Sequence, residues 1–373
     1  MLLLCSIVLT GCWDQKAVQD MNIITAVGID YVKDHYVIYG KLTDFSAVAN
    51  SDSGGGSSPT PSPSWVGRGE GATVSMAFND LYASSQHQTL WTHVKAIVLT
   101  ESALGNLTDI FEELLRSRDL RYTPWVFGTR KPVEEILNTE TTFNQSPLML
   151  EIFEPREVYK QHSAVEPIRL HKLMDGIREP AAAMLLPDIS LTTKHWKTNK
   201  KEDPMLELKG AFVIQRGVKK GWISEEELSG ARITSFRHMR RYPLNLDATR
   251  GSPSTLIMQH THSDFRLNTR NRKVAVDVKV TVHASIIESA WKKGMDEHQM
   301  KNKAEQILQR DIIENFANAK QKGADLYGFE EWLYRHHYKL WKQKSSEGPL
   351  LPAIDIGNVK VTVKIEHSNT YKM

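Results

Sequence analysis

The segment from Leu2 to Cys12 constrains this chain most. The apolar run Leu2-Leu3-Leu4-Cys5-Ser6-Ile7-Val8 passes into Leu9-Thr10-Gly11-Cys12 and turns polar at once with Trp13-Asp14-Gln15. The run is far shorter than the ~20 apolar residues that span a bilayer, and its length suits the apolar region of a cleaved export signal. Small residues ahead of Cys12 suit a peptidase cut at that cysteine, whose thiol can then carry a thioether-linked diacylglycerol. The expected layout is a lipoprotein signal over 1–11, lipidation at Cys12 and a short stalk over 12–22. No Lys or Arg stands between Met1 and Leu2, so the true translation start is expected upstream.

Cysteine use carries this into the fold. There are two cysteines in the 373 residues: Cys5 would leave with the signal and Cys12 would be acylated. The exported body then has no disulfide and must be held by its core alone. A chain of this length is expected to divide into two or three domains. The net charge of +3 does not call for nucleic acid and suits a position beside an anionic membrane surface.

Residues 23–30 read as a buried strand and 36–42 as its hairpin partner, with Lys33-Asp34-His35 in the turn. The Ser/Gly/Pro-rich segment 51–64 cannot bury apolar area and is expected as a flexible loop. Beyond it, helices over 73–86, 104–116 and 133–137 alternate with strands over 94–99 and 125–127, which predicts a mixed α/β domain over 23–190. Pro180, Pro187 and the basic run Lys194–Lys201 suggest a junction, followed by a small middle domain over 191–250. The last part, 251–373, reads as α+β, an antiparallel sheet with helices on one face. Its clearest strand is 273–287, with valines alternating against polar residues. A helix over 297–322 carries Ala304, Leu308, Ile312, Phe316 and Ala319 on one stripe, and Gly323 follows as a natural terminator. Val359, Val361, Val363 and Ile365 close with another alternating strand.

Chemical motifs are sparse. Gly67-Arg68-Gly69-Glu70-Gly71 reads as a Gly-rich loop exit rather than a phosphate cradle. Ser289-Ala290-Trp291-Lys292 fits Ser-x-x-Lys, but its companion signatures are missing. His260-Thr261-His262 on a strand puts both rings on one face, yet a metal needs more converging ligands. His336-His337 offers no better set. Glu112-Glu113 and Glu225-Glu226-Glu227 read as solvated helix faces. The residues point to an exported, lipid-anchored binding or assembly component with no catalytic, metal or cofactor site, not to an enzyme.

Several pieces, in order, resemble the Ger(x)C family, the lipoprotein C subunits of nutrient germinant receptors. These are Cys12-Trp13-Asp14, Thr25–Asp30, His93-Val94-Lys95 leading to Glu101, Arg118-Asp119 with Arg121, and Asp325–Phe329 followed by Trp341. Glu330 departs from the Gly usual there, and Glu366-His367-Ser368 lacks the usual following Gly. The resemblance implies a non-enzymatic role in nutrient-triggered germination, beside membrane-embedded A and B subunits on the outer face of the spore inner membrane. It also implies a three-part α/β architecture. The competing expectation is a lipid-anchored solute-binding protein of a transporter, which would show two similar lobes about a hinge. A cell-wall hydrolase is a third class, weakened by the missing catalytic signature.

Overall fold

A computed structural model of the chain describes residues 21–43, 65–116, 120–142, 145–198, 201–236, 238–246, 254–268, 274–288 and 295–366. Cys12, the signal, most of the stalk, the 51–64 loop and Ser289–Lys292 lie outside the described residues.

The chain opens with a hairpin of β1 (Met21–Val32) and β2 (His35–Leu42). Lys33 and Asp34 both take positive φ, 49° and 63°, the two-residue turn that matches strand twist. β3 (Trp65–Gly71), α1 (Val74–Ala83) and β4 (Gln88–Leu90) follow, then β5 (Ala96–Thr100), α2 (Leu107–Arg116), β6 (Trp125–Thr129) and α3 (Val133–Leu137). Next come α4 (Pro155–Gln161), β7 (Ile168–Arg169), α5 (Leu170–Arg178), β8 (Ala183–Thr192) and a two-stranded pair, β9 (Lys197–Thr198) with β10 (Lys201–Glu202). β11 (Met205–Gln215) and β12 (Val218–Ser224) complete a large sheet of order β12-β11-β8-β6-β5-β1-β2-β3, with β4 and β7 alongside.

Strands β1, β5 and β6 run parallel at its centre. Every residue of β5 and β6 is buried, because helices and loops cover both faces. On one side Val27, Ile29, Ile97 and Leu99 pack under α1, α2 and α5. On the other, Ala26, Val98 and Phe127 join a second core that continues into the C-terminal sheet.

Two segments differ from their expected reading. Gly67–Gly71 is not a loop exit but lies in the edge strand β3. Glycine recurs at period two there because α1 lies directly on that strand. A Cβ on Gly69 would collide with Ala77 O and stand 2.5 Å from Leu81 N. Gly69→Val should therefore cost about 3 kcal/mol and lower Tm by roughly 5–10 °C, read by thermal circular dichroism. An unchanged Tm would mean α1 is free to lift. The second difference is Pro187, which stands inside β8, opposite Ala211 of β11. β8 meets β6 at the single pair Gly128↔Asp188, so little ladder is lost to a proline on that side.

α6 (Ser229–Thr234) leads to the second sheet, β13 (Tyr242–Asn245), β14 (Thr255–Asn268) and β15 (Val274–Glu288). Segment 191–250 thus contributes β11 and β12 to the large sheet and β13 to the small one. Helices α7 (Glu297–Gln321), α8 (Phe329–His336) and α9 (Tyr338–Ser346) follow, then the closing strand β16 (Ile354–Ile365). The fold is mixed α+β, as expected, but β16 pairs with β15 in parallel rather than antiparallel. The helices form a crossover that returns the chain in the same direction, which a hairpin cannot do. α7 starts on a capping box between Asp296 and Gln299, and Gly323 at φ 69° ends it. Its stripe Ala304, Leu308, Ile312, Phe316 and Ala319 is fully buried, in one core with Val276, Val278, Val280 and Val282. Glu305 accepts the backbone N–H of Val363 at 2.9 Å, occupying a donor of the edge strand β16.

Candidate functional site

Cys12, the expected lipidation site, precedes the described residues, and eight residues, or nine Cα–Cα steps, separate it from Met21. Fully extended, such a length reaches at most ~32 Å. Met21 begins β1, a central strand of the large sheet, so a tether at Cys12 would pull on the rigid part of the fold.

The small sheet offers a second surface. Side chains alternate along a strand, so the faces opposite the buried valines share one side. There the register sets Asp264 beside Lys279 and Lys279 beside Lys360, and His262 beside Thr281 and Thr362. His283 Nδ1 lies 2.6 Å from Glu366 Oε1. Lys279, Lys360, Asp264 and His262 are exposed. This polar, mixed-charge face suits a protein surface better than an apolar ligand. His260, expected to share a face with His262 by strict alternation, instead sits at a β-bulge with φ 29°. His262 pairs with Asp264 at 3.4 Å.

The two sheets meet at a set of buried polar contacts. Asp325, 1% exposed, accepts the backbone N–H groups of Phe329 at 3.0 Å and Glu330 at 2.7 Å, capping α8. Glu330, 4% exposed, accepts from Gln215 Nε2 at 3.0 Å, and Arg216 stands 4.0 Å away in the β11–β12 turn. Glu330 therefore joins the small sheet's helices to the large sheet. Lys322 with Glu227 at 2.7 Å and Arg335 with Glu179 at 3.4 Å add to the seam, and Asn315 Oδ1 accepts from Ser229 Oγ and Gly230 N. Burial pushes the Asp325 carboxyl up to about 7, with Glu330 adding to the rise, and burial raises Glu330 as well. A carboxyl raised on folding binds more protons in the native state, so its contribution to stability grows as pH falls from about 7 towards 4. Stability at pH 5.5 minus that at pH 7.5 should therefore be larger for the wild type than for Asp325→Asn in urea titrations. Equal differences would mean that Asp325 does not carry the effect.

Other motifs have structural duties. Glu225 is not a solvated face but pairs with Arg232 at 2.9 Å and His162 at 3.0 Å. His337 packs its ring on Trp332 at 4.9 Å. Lys41, 2% exposed, donates to the carbonyls of Leu137 at 2.5 Å and Thr139 at 3.3 Å at the end of α3, and burial pulls its ammonium down to about 8. Asp188 is held by Arg130 at 3.1 Å and Trp222 Nε1 at 2.9 Å. Among the described residues no three His, Cys, Asp or Glu side chains come together as a metal site, and no helix is long and apolar enough to cross a membrane.

Comparison with known proteins gives this arrangement a family. Residues 14–191 match the model for a spore germination protein N-terminal domain, and residues 209–369 match the spore germination B3/GerAC-like C-terminal model. Spore germination protein KC of Bacillus subtilis (strain 168) is 23% identical over 92% of this chain and 88% of its own. Spore germination protein A3 of the same organism is 20% identical over 57% of this chain and 53% of its own. A crystal structure of the GerBC protein superposes with a TM-score of 0.53 at 14% identity, covering 91% of this chain and 96% of that one. At that identity the likeness concerns the fold.

Proposed function

The chain belongs to the GerAC-like, or Ger(x)C, family of spore germination proteins, and from that premise we propose that it is the lipid-anchored C subunit of a nutrient germinant receptor. The observation that carries the reading is the ordered match of both family models across nearly the whole chain. In this reading, an acylated Cys12 holds the body at the outer face of the spore inner membrane. It works there with membrane-embedded A and B subunits, and it assembles and signals rather than catalyses. The polar face around Lys279 suits docking to such a subunit. The solute-binding alternative draws no support from the fold, since a large sheet and a four-stranded sheet are not two similar lobes.

The test is deletion of the chain in a strain where it serves the sole nutrient receptor. Spores should lose the nutrient response and still germinate with agents that bypass receptors. A normal nutrient response would remove the receptor role.

A further inference from the structure

The strand register shows what shares the end of the large sheet where the tether enters. Leu42 pairs with both Ile24 and Trp65. Lys95 N donates to Thr25 O at 2.8 Å, and Trp125 N donates to Lys95 O at 2.8 Å. Trp65, Lys95 and Trp125 thus stand within a row of Ile24 and Thr25, at the end of β1 where Met21 lies. The strands β6-β5-β1-β2-β3 span ~19 Å at ~4.8 Å per spacing, with β1 in the middle. The other end of β1, at Val32, lies ~36 Å farther along.

The loop before β6 closes this end. Leu170 N donates to Pro124 O at 2.8 Å, His171 N to Tyr122 O at 3.0 Å, and the Arg169 guanidinium to Thr123 O. Arg169 also lies over the Trp125 ring, 3.6 Å from its centroid. The loop is therefore held in place, and Tyr122 is exposed on it, as Trp65 is on β3. Lys95, Arg121 and Lys172 are exposed and, among the described residues, have no carboxylate partner. Segments 84–95, 120–125 and 168–172 contain no Asp or Glu. Glu154, just ahead of α4, is the carboxylate that acts on Arg169.

Unpaired cations, exposed Tyr and Trp rings and the point of tethering share one end. Lys and Arg are attracted to anionic headgroups within about a Debye length, and Tyr and Trp favour the headgroup level. A tether of at most ~32 Å brings this end to the bilayer ahead of the far end of β1. We propose that this end of the large sheet docks on the anionic phospholipid surface of the membrane. Lys95, Arg121 and Lys172 meet headgroup phosphates, and Tyr122 and Trp65 sit at headgroup level. The contact orients a body that the acyl chains retain, since three cations screened by physiological salt do not replace two acyl chains. The geometry rests on the tethered reading of Cys12.

The experiment floats the otherwise complete mature chain, carrying Cys12→Ala, on vesicles at low salt. Vesicles of phosphatidylglycerol with phosphatidylcholine should carry it, and phosphatidylcholine alone should not. Lys95→Gln, Arg121→Gln and Lys172→Gln together should weaken binding about a hundredfold, roughly fivefold for each charge. Lys33→Gln, Lys131→Gln and Lys194→Gln remove the same charge from exposed positions at the far ends of β1, β6 and β8, and should change binding less than threefold. Tyr122→Ser should weaken it severalfold with the charge unchanged. Unaltered melting curves exclude misfolding as the cause, since every substituted side chain is exposed. Equal losses from the two triple variants, or no dependence on phosphatidylglycerol, overturn the proposal. Basal substitutions that spare flotation but strip co-purifying membrane proteins from the native chain give this end to a protein and overturn it too. An acylated chain whose body ignores phosphatidylglycerol refutes the docking face and spares the tether. An unacylated Cys12 in a chain that still floats refutes the tether instead.

Discussion

Val278→Asp should unfold the C-terminal sheet, while Lys279→Asp, one residue away, should leave it folded. Val278 is 1% exposed and faces the core under α7, so the substitution buries a carboxylate with no partner. The expected cost is about 4 kcal/mol or more, a large share of the stability of any one domain. Lys279 is exposed on the opposite face, next to Asp264 and Lys360, and its replacement should cost about 0.5 kcal/mol. Urea titration followed by circular dichroism separates the two. Equal losses would mean that both faces of the sheet are covered. If the polar face docks another subunit, Lys279→Asp should weaken that association without touching the fold.

The second large effect is expected at Cys12. Each buried CH₂ contributes ~0.8 kcal/mol, so one acyl chain binds a membrane marginally and two hold it stably. Cys12→Ala should abolish metabolic lipid labelling and move the chain from the membrane pellet to the supernatant. Full retention of that variant in the pellet would remove the anchor.

The elements legible in the sequence are those whose side chains carry a period. β15 shows its valines at every second position, and α7 shows its stripe at helical spacing, so both were expected where they occur. The β1–β2 hairpin was legible for the same reason. What escaped is held by contacts with no local pattern. β3 has glycines instead of an apolar period, because its backbone rather than its side chains meets α1. β8 carries a proline that reads as a break unless one knows that its ladder with β6 is a single pair. The direction of β16 depends on a crossover 65 residues long, residues 289–353, and no strand-level signal encodes it. Asp325, Glu330 and Glu225 look like surface charges in sequence, since a charged residue is almost always exposed. The burial of Asp325 and Glu330 and the pairing of the half-buried Glu225 show only when distant groups such as Gln215 and Arg232 are seen beside them.

Glu330 places a carboxylate 3.0 Å from Gln215 Nε2 at the end of β11, with Arg216 of the β11–β12 turn 4.0 Å away. It ties the helices of the small sheet to the large sheet through Gln215.

The central claim is that this chain is a tethered subunit of a membrane receptor. Its most direct test is affinity purification of the intact chain from detergent-solubilised spore inner membrane, with mass spectrometry of everything retained. The expected result is a diacylglyceryl group on Cys12 and the recovery of two integral membrane proteins with the chain. Recovery of the chain alone, unacylated and released without detergent, would contradict it.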